Sequence, residues 1–137
     1  MTINVLLGVE DRALASSLSA QFQELPDFQL AGVEPNSGDV VGAVNSIHGI
    51  DVVLLHQKLG PLPAFDVIRE LGVRYPYAAV VLIAEEATAE VYGQAMAAGA
   101  RGVISSEPTL SELQNRIEAA AEWSRTMRRH FDSAFTG

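Results

Sequence analysis

Five short apolar runs alternate with five stretches of helical periodicity along this chain, and that alternation narrows the fold more than any other feature of the sequence. The runs fall at residues 3–9, 28–33, 51–55, 78–84 and 102–104, and the stretches between them at 11–25, 38–47, 64–75, 88–98 and 109–130. Those stretches have the lengths of crossover helices. A strand, a helix and a second parallel strand close as a right-handed unit with the helix packed on the sheet, so the order predicts a parallel sheet covered on both faces. Runs 51–55 and 78–84 lack polar alternation, as central strands buried on both sides do.

Punctuation agrees with these boundaries. Pro26 ends the first helix and Tyr75-Pro76 the third, because the residue before proline is pushed out of the helical region. Gly99 closes the fourth helix, and Thr109-Leu110-Ser111-Glu112 reads as a capping box that starts the fifth. Leu110, Leu113, Ile117, Ala120 and Ala121 then form a core-facing stripe. The predicted architecture is α/β: a flavodoxin-like, doubly wound sheet of five parallel strands in the order 2-1-3-4-5, with five helices. Its ligand crevice opens outside the carboxyl ends of the strands.

Length and charge bound the rest. A chain of 137 residues suits one domain with a core large enough to need no staples. We expect a domain over residues 1–122 and a helical extension or linker over 123–137. There is no cysteine, hence no disulfide or thiolate site. The apolar run 78–84 is far short of the about 20 residues that span a bilayer. With no export signal in Met1-Thr2-Ile3-Asn4 either, a cytoplasmic location is expected. The net charge of -8 repels phosphate backbones and argues against direct nucleic acid binding. Arg125, Arg128 and Arg129 nevertheless put three of the nine cations near the end, where they offset a helix dipole or meet an acidic partner or membrane surface. In the same segment Trp123, Met127, Phe131 and Phe135 recur every four residues, suited to packing on the domain or on a partner.

The order and spacing of the elements, the run Asp51-Val52-Val53-Leu54-Leu55-His56 with Lys58-Leu59-Gly60-Pro61 after it, and the turn Gly99-Ala100-Arg101-Gly102 resemble the receiver domain of response regulators, the CheY-like fold. The resemblance spans residues 3–121. It implies a crevice in which an acid pair holds a divalent cation, an aspartate accepts phosphate, and a hydroxyl and a lysine stabilise the phosphoryl group. Mapped onto this chain, the pocket is degenerate. The acid pair is Glu10-Asp11, or Val9-Glu10 with a shift of one residue; His56 stands for the nucleophile, Ala84 for the hydroxyl, Ser106 for the lysine and Val103 for the aromatic switch.

The resemblance therefore implies a pseudo-receiver, a phosphorylation-independent regulatory module with no cofactor, no metal and no enzymatic role. Its surface of fourth helix, fifth strand and fifth helix would bind a protein partner or a second copy through Glu90, Tyr92, Gln94, Arg101, Glu112, Arg116 and Glu122. The Ala98-Gly99-Ala100-Arg101-Gly102 turn is also similar to the N-terminal domains of CpaE/TadZ-like pilus-assembly ATPases of the MinD/ParA type, which would put an ATPase domain after this segment. Alternatives are a truncated atypical regulator of transcription followed by a DNA-binding domain, or, in another class, a His56 phosphocarrier or metal-dependent enzyme. No Gly-rich phosphate loop accompanies Leu7-Gly8-Val9-Glu10, and no nucleophile elbow accompanies Ser105-Ser106. His48, before Gly49 at a helix end, and His130 in the tail read as capping or solvated residues rather than ligands.

Overall fold

A computed structural model describes residues 2–136, with side chains described through residue 132. Strands β1 (Ile3–Gly8), β2 (Phe28–Glu34), β3 (Val52–His56), β4 (Ala79–Ala84) and β5 (Gly102–Ser105) alternate with helices α1 (Arg12–Gln23), α2 (Ser37–Ser46), α3 (Ala64–Arg74), α4 (Ala89–Ala98) and α5 (Leu110–Thr136). The strands form one parallel sheet in the order β2-β1-β3-β4-β5. This is the five-stranded flavodoxin-like sheet expected from the alternation, in the CheY-like arrangement that the resemblance implies.

Side-chain alternation along each strand feeds two cores. Val5, Leu7, Val52, Leu54, Val81 and Ile83 pack with Leu18 and Phe22 of α1 and Leu113 and Ile117 of α5. Leu6, Val53, Leu55, Val80 and Leu82 pack with α2, α3 and α4 through Val40, Val67, Ile68, Leu71 and Ala95. Every residue of β3 and β4 is buried. Gly8 ends β1 where a Cβ would lie 2.9 Å from Val40 Cγ2 and 3.0 Å from Leu55 Cδ1, so the helix-to-strand approach there requires glycine.

The caps follow the sequence. The Asp11 carboxylate accepts from the N–H groups of Ala13 and Leu14 and starts α1, and Thr109 Oγ1 accepts from the Glu112 N–H at the start of α5. Gly99 ends α4 in the left-handed region at φ 117°, where its N–H reaches the carbonyls of Ala95 and Met96.

Helix α5 extends beyond the expected end at residue 130, because no proline or glycine interrupts it before Gly137 and its later turns are fastened to the amino ends of the strands. Arg128 donates to the Ile50 carbonyl at 2.7 Å, faces the buried Asp51 carboxylate at 3.5 Å and lies over the Tyr77 ring. Asp51 accepts in addition from the Asn4 N–H at 2.9 Å. Arg125 reaches the Thr2 carbonyl, Ser124 donates to the Tyr77 carbonyl, and Trp123 carries Arg101 over its ring at 4.0 Å. Met127 and Phe131 are half-buried, so this stretch packs on its own domain; the side chain of Phe135 lies outside the described residues. The helix runs unbroken across residues 122 and 123.

Asp51 thus satisfies a β1 amide and an α5 guanidinium from a buried position. Asp51→Ala should lower stability by roughly 1–3 kcal/mol, the cost of stranding polar partners, as a drop in the urea midpoint with an unchanged slope.

Candidate functional site

The carboxyl edge of the sheet gathers the ends of β3, β4 and β5. His56 is the last residue of β3 and only 3% exposed, held at that level by the backbone pairing His56↔Ile83. Glu85 follows the last residue of β4, and its Oε1 lies 2.8 Å from His56 Nε2. An ionised carboxylate only accepts, so Nε2 carries the proton in this bond. The other carboxylate oxygen accepts from Ser106 Oγ at 3.4 Å, which brings the residue after β5 to the same group. One carboxylate bridges three strand ends.

The electrostatics follow from that bridge. The hydrogen bond from His56 is the main cause holding the Glu85 carboxyl below its ordinary value of 4.5, with the Lys58 charge, the His56 charge and the Ser106 bond acting in the same direction and partial desolvation opposing them. Glu85 itself is 41% exposed on its side chain, against 4% for His56. The pair is a buried donor under a partly solvated acceptor.

Other predicted site residues fall differently. Asp11 spends its carboxylate on the α1 cap, Glu10 is exposed in the loop before it, and Val9 is buried. No group of three or more His, Asp or Glu side chains that could hold a metal ion occurs among the described residues. Ala84 is fully buried at the end of β4, and Val103 packs, half-buried, against the core that contains α4. The crevice brings together His56 and Ser106, with Glu85 between them.

On the predicted interaction surface, Glu90, Tyr92 and Gln94 are exposed on α4, and Glu112, Arg116 and Glu122 on α5. Glu112 and Arg116 line a cavity of about 460 Å³ along β5 with Val103, Ile104 and Ser105. Arg116 lies so close over Gly102 that a Cβ there would sit 2.6 Å from its Cδ. Tyr92 is 50% and Met96 37% exposed, one turn apart on α4. Arg101 is exposed at the turn before β5 and stacks over the Trp123 ring at 4.0 Å.

Sequence reasoning missed Glu85. A readable signal existed: register pairs His56 with Ile83, so Glu85 leaves β4 two residues further on, within reach of a histidine that needs a partner. A glutamate that leaves a strand reads otherwise as a solvated loop residue.

No family model and no curated protein matches the sequence. Solved structures do match the fold. The chain is similar to a two-component response regulator of the LuxR family from Aurantimonas sp. SI85-9A1, with a TM-score of 0.82 at 16% identity over 89% of this chain and 86% of that one. It is similar to the signal receiver domain of a modulated diguanylate cyclase from Desulfovibrio desulfuricans G20, with a TM-score of 0.81 at 20% identity over 93% and 99% of the two chains. The CheX-CheY-BeF3-Mg complex from Borrelia burgdorferi matches with a TM-score of 0.77 at 16% identity over 85% and 87%. At these identities the likeness establishes the receiver fold.

If Glu85 is ionised through its bond with His56, its folded-state pKa is depressed. The stability it contributes is present above the unfolded value of 4.5 and is lost as pH falls through the folded value. A carboxyl carbon NMR titration should place Glu85 below the ordinary value of 4.5, and His56→Ala should move it back up.

Proposed function

We propose that this chain is a pseudo-receiver, a cytoplasmic, phosphorylation-independent protein-interaction module rather than an enzyme. The observation that carries the reading is the Glu85 carboxylate held between His56 and Ser106 at the end of the sheet. In receivers, the family the sequence resembles, that place takes a phosphoryl group stabilised by a lysine and a hydroxyl. Here a side chain of the protein supplies the anion and His56 and Ser106 supply the donors. An incoming phosphoryl dianion would meet a carboxylate already in place, and the acid that would balance it with a metal, Asp11, caps a helix instead. The crevice is occupied from within.

Function then rests on surfaces. The exposed pair Tyr92 and Met96 and the cavity lined by Glu112 and Arg116 support the α4-β5-α5 face as the docking surface, for a protein partner or a second copy of the chain. Among the similar structures one receiver is itself a complex, CheX-CheY. The turn Ala98-Gly99-Ala100-Arg101-Gly102 favours a parent of the CpaE/TadZ type, in which an ATPase domain would accompany the module of residues 1–122 and the helical stretch from Trp123 that packs on it. No helix of the described residues is long and apolar enough to cross a membrane.

Two measurements test this. Titration with magnesium and beryllofluoride should leave the amide resonances of Glu10, His56, Ala84 and Ser106 unmoved; saturable shifts there would sink the reading, and acid-labile phosphate lost in His56→Ala would replace it with a phosphocarrier. For the surface, Tyr92→Glu should weaken self-association or partner binding by about tenfold or more in sedimentation equilibrium or titration calorimetry without changing the urea midpoint.

A further inference from the structure

At the amino edge of the sheet, opposite the crevice, a groove runs on both sides of the Arg128 side chain. One lobe, of about 570 Å³, is lined by Thr2, Asn4, Gly49, Asp51 and the three arginines Arg125, Arg128 and Arg129. The other, of about 550 Å³, is lined by His48, Tyr77, Phe131 and Asp132 among others and shares Gly49 and Arg128 with the first. Both volumes lie within the range of small-molecule sites.

The charges in the first lobe do not cancel. Asp51 is its carboxylate, and that charge is committed to Arg128 and to the Asn4 N–H. Arg125 and Arg129 donate to neutral oxygens, the Thr2 carbonyl at 3.2 Å and Thr126 Oγ1 at 3.4 Å. Each guanidinium has five N–H donors, so one bond apiece leaves most of them available to a ligand. Three of the nine cations of a chain with net charge -8 therefore meet at one concave place, where guanidiniums would prefer water or an anion to each other. Asp132 lines the far lobe and not the first, so Asp51 is the one carboxylate among the lining residues of the first lobe.

We propose that this lobe binds a phosphate monoester. Arg125 and Arg129 take its oxygens in forked hydrogen bonds, Arg128 stays with Asp51 as the fixed wall, and an organic remainder extends past Arg128 toward Tyr77 and Phe131. The shared chemistry is a phosphate dianion on an apolar group, presented either by a free metabolite or by a lipid headgroup.

The test uses phenyl phosphate, followed by amide NMR, and phosphatidylcholine vesicles with and without phosphatidic acid, followed by sedimentation, each with the wild type and with Arg125→Gln/Arg129→Gln. Arg128 is left intact because it anchors α5. The expected result is saturable shifts at Thr2, Gly49, Arg125 and Arg129, weakened at least tenfold in the variant and by added salt. Binding to phosphatidic acid vesicles alone, lost in the variant, would support the same site with a lipid as its source. The proposal falls if neither probe binds, if the variant binds as well as the wild type, or if the wild-type shifts map to His56 and Glu85 at the other edge. The wild-type shift map decides the site even if the variant folds poorly.

Discussion

Burial of β3 and β4 on both faces is the constraint from which the rest of the molecule follows. Every side chain of Val52–His56 and Ala79–Ala84 is out of water, and between the two cores there is no place for an unpaired polar group. Polarity is therefore driven to the strand ends. At the carboxyl end of β3 stands His56, and just before its amino end stands Asp51, both under 5% exposed. Each must find a partner, and each partner comes from a distant part of the chain: Glu85 for His56, Asn4 and Arg128 for Asp51. No buried side-chain nitrogen or oxygen among the described residues is left without a hydrogen bond.

The two pairings differ in what they leave available. Asp51 and Arg128 close one polar site by joining the sheet to the last helix, and the surplus of guanidinium around them faces outward. His56 and Glu85 join the ends of β3 and β4, and through Ser106 the end of β5. A partly solvated carboxylate costs little to ionise, while the buried imidazole below it supplies a fixed donor, so the bond is set by the histidine's position rather than by net charge. Holding three strand exits through one side chain fixes the β4–α4 connection, the segment that leads to the exposed Tyr92 and Met96.

Most of the fold could be read from the sequence because it depends on short-range patterns. Apolar runs without alternation marked β3 and β4; Gly99, Pro76 and Thr109 marked helix ends; each observed element lies within a residue or two of its expected place, except the end of α5. The site was only half legible. His56 and Ser106 stood out as substitutions in a resembling pattern, whereas Glu85 did not, since its role depends on the lateral register of β3 and β4, 29 residues apart in the chain. The partnership of Asp51 with Arg128 joins positions farther apart still, and nothing local distinguishes Arg128 from the solvated Arg129 beside it. The acid pair Glu10-Asp11 has a local role that its place before a helix already signals: the first turn of α1 needs an acceptor and takes Asp11 for it.

Helix α5 ties the two ends of the argument together. Near its start, Glu112 and Arg116 line the cavity along β5; near its end, Arg125 and Arg129 line the groove at the amino edge. At 1.5 Å per residue the centres of the two places lie about 20 Å apart on one continuous helix, more than two Debye lengths at physiological salt, so direct attraction between their charges is weak. What joins them is mechanical. Leu113, Ile117, Ala120 and Ala121 seat the helix in the core, Trp123 and Ser124 fasten its middle, and Arg128 pins its far turn to β3. A surface at either end cannot tilt without dragging this packed stripe, and so one rigid element runs between the β5 cavity and the amino-edge groove.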